Sequence, residues 1–266
     1  MRKEVLIIIP AYNEVGKISE VLKALERPEI SVFSDVLVMD DASRDGTNII
    51  AKRRGHQVVT HVYNLGYGSG LQTGYKYADR RGYDYVIQMD ADGQHDPENV
   101  KRIYEELKKK DEKGKYPDIV IGSRFVDGAV SFKVGAMKKF AFHLFRGLIK
   151  IGTGKMVMDP TSGLQGLSKR VVWYYSRYSH FDDRYPDANM LLQMLLLGYS
   201  VREIPAIMYQ RTEGKSMHAG IIKPALYMIR MLLSMVTVWV RVKIYKLDKT
   251  SMKEQETINE IKAGKI

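Results

Sequence analysis

The sequence predicts an α/β protein built on a mostly parallel, Rossmann-like sheet flanked by helices. Short apolar runs alternate with stretches of helical periodicity through the first half of the chain, the pattern of strands joined by crossover helices. Each apolar run gives way at once to polar residues, as where a ligand crevice lies beyond the carboxyl ends of the strands. The chain has 266 residues, 45% of them hydrophobic and none of them cysteine. That is enough for one large core, and it excludes both a disulfide framework and a thiolate metal site.

Strands are predicted at 4–9, 35–39, 57–62, 85–89 and 118–121, with helices between them at 17–26, 46–54, 69–81 and 97–110. The run Val5 to Ile9 is unbroken, as in a strand covered on both faces; it is too short for a signal peptide, so a cytoplasmic location is the default. Pro10 removes a ladder donor and is predicted to end that strand. Asp45-Gly46-Thr47 reads as a turn that caps the next helix. Asn64-Leu65-Gly66-Tyr67-Gly68-Ser69-Gly70 is a glycine-rich loop before a helix, suited to close backbone approach to a ligand. Further helices are predicted at 137–150, 190–197 and 217–247, and 248–266 is a charged tail.

The formal charge of +11 is unevenly spread. Residues 133–155 hold six basic and no acidic residues and 217–247 hold five and none, which leaves the remainder balanced at 31 against 31. Both segments read as amphipathic helices. Lys139, His143, Arg146 and Lys150 recur on one face of the first; Lys223, Tyr227, Arg230, Ser234, Thr237 and Arg241 form a narrow stripe on the second. Such helices lie in the headgroup layer of an anionic membrane, or else cover the protein's own sheet with a solvated basic rim. Only ten residues separate Arg230 from Arg241, whereas a spanning helix needs about 20. A tilted span over 219–242, with Lys223 and Arg230 snorkelling, is the competing arrangement. No RNA-binding motif accompanies the basic residues, so no nucleic-acid partner is expected.

The run from Tyr85 to Met89 ends in Asp90-Ala91-Asp92-Gly93-Gln94-His95. Two carboxylates one residue apart at the end of a strand can turn toward one hard divalent ion, Mg²⁺ or Mn²⁺. Alternatively they only open the helix that Pro97 starts.

The set Pro10-Ala11-Tyr12-Asn13-Glu14, Asp40-Asp41-Ala42-Ser43, Asn64-Leu65-Gly66-Tyr67-Gly68 and Asp90-Ala91-Asp92-Gly93-Gln94 resembles glycosyltransferase family 2 in order and spacing. Gly122-Ser123-Arg124, Asp159-Pro160-Thr161-Ser162-Gly163 and Arg211-Thr212-Glu213-Gly214-Lys215-Ser216 are similar to its polyprenyl-phosphate branch, the dolichol-phosphate mannose synthase-like enzymes. The resemblance covers roughly residues 4–216 and implies a GT-A catalytic domain over 1–216. A basic amphipathic juxtamembrane region over 217–247 and the tail would follow it.

The activity implied is metal-dependent, inverting transfer of one hexosyl or N-acetylhexosaminyl unit. The donor would be a UDP- or GDP-sugar and the acceptor undecaprenyl or dolichyl phosphate, at the cytoplasmic face of the membrane. By resemblance, Pro10, Tyr12, Glu14 and Asp41 hold base and ribose; Asp90, Asp92 and Gln94 serve the metal; Arg211 and Lys215 face the diphosphate. Arg124 and Ser162 serve the acceptor phosphate, with Lys138 and Lys139 where family members place a second arginine. Lysine lacks the fork that grips a phosphate bidentately.

Asp187 lies where hydroxyl-acceptor enzymes carry an acidic base; it reads as a base, a donor-sugar contact or the cap of helix 190–197. Two other readings remain: transfer to a hydroxyl of a surface polysaccharide, and a catalytically silent membrane scaffold. The partners expected beyond substrates are an anionic membrane surface and either a small membrane protein or a second copy of the chain.

Overall fold

The computed structural model describes residues 3–132, 135–210 and 222–246. In chain order the elements are β1 (Val5–Ala11), α1 (Val15–Leu25), α2 (Pro28–Ser31), β2 (Ser34–Asp40), α3 (Thr47–Arg53), β3 (Gln57–Thr60), α4 (Tyr67–Arg81) and β4 (Tyr85–Gln88). Then come α5 (Glu98–Leu107), β5 (Ile119–Ser123), α6 (Ala136–Thr153), β6 (Gln165–Ser168), α7 (Lys169–Tyr175), α8 (Ala188–Leu196), β7 (Val201–Pro205) and α9 (Ile222–Val240). A π-helical turn, Arg241–Tyr245, continues α9.

One seven-stranded sheet, ordered β3-β2-β1-β4-β6-β5-β7, forms the middle layer. β6 runs antiparallel to β4 and β5, and the other pairings are parallel. Val5 to Ile9 are all 0% exposed, so β1 is covered on both faces as its unbroken apolar run requires. The two-residue side-chain period sorts them: Val5, Ile7 and Ile9 pack with α1 and α5, and Leu6 and Ile8 pack with α4.

The predicted end of β1 at Pro10 is corrected. The strand runs through it to Ala11, and Pro10 pairs with Met39 of β2. Ile8 offers its carbonyl to Met89 N on the β4 side, so the backbone of Pro10, two residues on, faces that same side. β4 ends at Gln88; the missing N–H falls where no ladder partner remains.

β6 and β7 escaped prediction because Gln-Gly-Leu-Ser carries one large apolar residue and Val-Arg-Glu-Ile-Pro is a half-exposed edge strand. The predicted helix 217–247 is described from Ile222 onward. Met231, Met235, Val238 and Val242 are buried in the same core as α8, each such burial contributing about 1.5–3 kcal/mol.

Candidate active site

The strand order reverses beside β1, which has β2 on one side and β4 on the other; the crevice at the carboxyl ends of such a switch point is where α/β sheets bind ligands. A cleft of about 370 Å³ lies next to it, beyond the carboxyl ends of β1, β2 and β3, lined by Tyr12, Ser43, Arg44, Tyr63 and Asn64 among others. Its walls are laced together. Asn13 N donates to Ser43 Oγ (3.0 Å), Arg44 N to Asn13 Oδ1 (2.9 Å) and Glu14 N to Thr47 Oγ1 (2.9 Å). Asn13 and Ala42 hold left-handed conformations, φ 55° and 62°, the sort of local strain that gathers at binding sites. Asp45 receives Thr47 N, as expected of a capping turn, and also Val15 N at the start of α1.

Asp41 is buried, and its carboxylate accepts Leu65 N and Gly66 N (both 2.8 Å) and faces His61 Nδ1 at 2.8 Å. It thus pins the glycine-rich loop to the end of β2. Gly68 is demanded by contact: a Cβ there would lie 2.4 Å from the Asp182 carbonyl oxygen.

After β4, Asp90 Oδ1 accepts the Tyr67 hydroxyl (3.0 Å) and Oδ2 faces His95 Nε2 at 3.4 Å. Burial pushes Asp90 up, but His95, Tyr67 and Arg124 outweigh it, and the carboxyl stays below its ordinary range. Burial, then Asp90 and Asp187, raise Tyr67 well above an ordinary phenol, which keeps it a proton donor. Asp92 Oδ1 accepts Gln94 N (3.0 Å), and the Gln94 side chain donates to Tyr209 O (3.1 Å). Gln94 is thereby tied to the chain beyond β7 rather than turned to Asp92.

Arg124, beyond β5, donates through Nε and Nη2 to the fully buried Asp159 (2.7 and 2.6 Å) and through Nη2 to Thr161 (3.1 Å). Burial lowers its affinity for the proton, but Asp159, Asp187 and Asp90 raise it further, so the cation is permanent. Ser162, predicted to meet the acceptor phosphate, is turned inward. It is 2% exposed, donates to Gly122 O (2.6 Å) and accepts Leu164 N; Thr161 takes the place beside Arg124.

Lys138 and Lys139 lie in the first turn of α6, with Lys139 exposed. The predicted basic face is broken at Arg146, whose guanidinium sits 4.6 Å over the Phe125 ring with a buried Nε that has no partner among the described residues. Arg211 and Lys215 lie outside the described residues.

Asp187 occupies the cap position of α8, yet its carboxylate makes no cap hydrogen bond. Oδ2 instead accepts the Tyr227 hydroxyl of α9 at 2.6 Å. Burial pushes it up to about 6; Asp90 and Asp182 add to the rise, and Tyr227 and Arg124 oppose it. Asp90, Arg124 and Asp187 are half-buried, and their charges act on one another.

The sequence matches the family model for glycosyl transferase family 2 over residues 6–176. The chain belongs to glycosyltransferase family 2. Among its relatives, the undecaprenyl-phosphate mannosyltransferase of Micrococcus luteus is 31% identical over 81% of this chain and 88% of its own. The polyprenol monophosphomannose synthase of Mycolicibacterium smegmatis is 28% identical over 81% of both chains. These names place this glycosyltransferase in the polyprenyl-phosphate branch of the family. Among solved structures, glucosyl-3-phosphoglycerate synthase from Mycobacterium tuberculosis, crystallised with Mn²⁺, UDP-glucose and phosphoglyceric acid, aligns with TM-score 0.64 over 89% of this chain and 80% of that one, at 16% identity. That likeness establishes the GT-A fold.

No group of three or more His, Cys, Asp or Glu side chains able to hold a metal occurs among the described residues of the glycosyltransferase. The residues nonetheless fit one. Asp90, its side chain 34% exposed, and Asp92 offer hard oxygens at the crevice, and Mg²⁺ and its like are commonly held by one or two carboxylates plus substrate phosphates. Tyr67, Asp159 and Tyr227 make these contacts without a role having been assigned to them individually, and His95, open between a metal ligand and a surface or capping histidine, is buried against Asp90. A tyrosine inside the glycine-rich loop was the available signal for the first.

Proposed function

We propose that this glycosyltransferase moves a single sugar from a UDP- or GDP-sugar onto polyprenyl phosphate, with inversion, at the cytoplasmic face of the membrane. The observation that carries this reading is Arg124: a permanent guanidinium just past β5, anchored by Asp159 and within electrostatic reach of Asp90 and Asp187. An acceptor phosphate is already largely dianionic at neutral pH. It needs charge compensation and alignment rather than a base, and Arg124 is suited to supply both.

The base and ribose occupy the cleft beside Tyr12 and Arg44, and the diphosphate lies toward Asp90, with Arg211 and Lys215 as further cations. Asp90 and Asp92 would hold a divalent cation, Mg²⁺ or Mn²⁺, and when bound it would supply Lewis-acid neutralisation of the leaving diphosphate, worth several kcal/mol. A phosphate oxygen attacks the anomeric carbon from the face opposite the leaving group as the bond to the nucleoside diphosphate breaks. Asp187 contacts the donor sugar.

The surface suits a lipid acceptor. Leu226, Ile229, Leu233, Val236 and Trp239 are exposed along the outer side of α9, and Phe140 and Ile151 along α6. Ala225–Tyr245 is also long and apolar enough to cross a membrane by length and composition. Its inner side is occupied by core and polar contacts, which favours a helix lying on the bilayer.

One observation favours a second reading, transfer to a sugar hydroxyl: a carboxyl at about 6 is matched to work as a general base. A panel of UDP- and GDP-sugars with Mn²⁺ tests both. One donor should raise the melting temperature, an effect lost in Asp92→Ala, and its labelled sugar should enter organic-extractable polyprenyl phosphate. Label that enters only polysaccharide hydroxyls overturns the lipid reading.

A further inference from the structure

We propose that Tyr227 is a positioning residue of the catalytic centre, its hydroxyl fixing the Asp187 carboxylate beside Asp90 and Arg124, so that α9 forms part of the active site. The inference rests on the reading of that centre given above.

Three polar residues spaced by seven, Tyr227, Ser234 and Arg241, mark the side of α9 that meets residues 179–189. Tyr227 donates to Asp187 Oδ2 at 2.6 Å; Ser234 Oγ accepts Asn189 Nδ2 at 2.8 Å and lies 3.3 Å from Asp182 Oδ2; Arg241 Nη1 donates to Ser179 O at 3.2 Å. The sequence read these three within a six-residue polar stripe, the helix's solvated or headgroup face. They dock instead, whereas Arg230 and Thr237 of the same stripe are exposed, as are Leu226, Ile229, Leu233 and Val236.

Asp187 is released from the ordinary duty of its position. Asp187 N donates to Asn189 Oδ1 (2.9 Å), which Met190 N also reaches (2.9 Å), and the Asp187 side chain makes no cap bond. A buried carboxylate without partners is strongly disfavoured, and a short hydroxyl-to-carboxylate bond is the charge-assisted kind that holds one rotamer. The tyrosine is itself held. Its ring meets Tyr185 edge-on at 5.6 Å and Phe145 of α6 at 6.4 Å, interplanar angles 77° and 79°, geometry that aromatic pairs prefer. A ring held on two sides cannot swing its hydroxyl away.

The same segment reaches the donor side. Asp183 O accepts Ser69 N (2.9 Å), and the 182–183 backbone presses on Gly68. Displacing Asp187 from Tyr227 therefore disturbs the donor-sugar contact of the centre first, and the glycine-rich loop only through the 182–183 backbone.

Tyr227→Phe removes the hydroxyl and keeps both ring contacts; leaving the carboxylate without its donor should lower the melting temperature with the cooperative transition retained. The expected result is a kcat lowered about tenfold with nucleoside diphosphate affinity changed less than about twofold. The loss should vanish in an Asp187→Asn background, because contacting residues couple and independent ones add. Ser234→Ala, which breaks the neighbouring contact and spares the Tyr227 bond, should lose less than about threefold. If Asp187→Asn impairs transfer while Tyr227→Phe does not, or if the two losses simply multiply, the positioning role is overturned. If Asp187→Asn itself leaves transfer intact, the reading of the centre has failed instead.

Discussion

Asp187→Asn should make the protein more stable and less active, and the stability gain should depend on pH. The carboxyl is raised from 3.8 to about 6, burial first and the Asp90 charge behind it, against the pull of Tyr227 and Arg124. Two units correspond to about 3 kcal/mol. The sign follows from linkage. A raised acid is favoured in the folded state while protonated, so its contribution is intact below pH 3.8 and is lost as pH rises through 6. Above that point wild type carries a buried charge that asparagine lacks, and asparagine keeps an oxygen for the Tyr227 hydroxyl.

Allowing for relaxation around the charge, a gain of about 2 kcal/mol is expected at pH 8, or roughly 4–8 °C in melting temperature for a domain of this size. By pH 4.5 the linkage relation shrinks it to about a third. Thermal unfolding of both proteins at pH 4.5 and 8, with chelator and without donor, measures it. An unchanged or lower melting temperature at pH 8, or an equal gain at both pH values, refutes the argument.

Gly68→Ala places a Cβ 2.4 Å from the Asp182 carbonyl oxygen, against backbone that cannot swing aside. A loss of about 1–3 kcal/mol is expected, with weaker nucleotide binding by calorimetry; wild-type melting and affinity together would show that the close approach is dispensable. The outer face of α9 is tested by Ile229→Glu combined with Leu233→Glu. Both positions are exposed, so melting should hold while flotation with anionic vesicles at low salt is lost, and equal flotation would assign membrane binding elsewhere.

The crevice residues were legible because they are contiguous in sequence. Each sits just past the end of a strand, so a strand pattern plus the next few residues located Tyr12, Asp41, Asp90 and Asp92 at the carboxyl edge of the sheet. What stayed hidden depends on contacts between distant segments. Tyr227 read as one member of a polar stripe, since helical periodicity says which residues share a face but not which face meets the protein. Ser162 read as a ligand residue, yet its hydroxyl closes the turn onto Gly122 O. Arg124 was found by its place after a strand, while Asp159, which orients its guanidinium, lies 35 residues away in sequence. β6 escaped because four residues paired on both sides carry little pattern of their own.

These contacts bear on how the proposed membrane association would be made. In the proposed reaction the polyprenyl chain stays in the membrane while its phosphate must come within hydrogen-bond reach of Arg124, so the centre has to sit at the bilayer surface. An upright α9 would expose Tyr227, Ser234 and Arg241 to hydrocarbon and free Asp187 from its partner. Every unsatisfied polar group in that environment carries a penalty of several kcal/mol. A helix lying flat keeps all three contacts and turns Leu226, Ile229, Leu233 and Val236 outward, so the orientation that suits the lipid also preserves the geometry around Asp187.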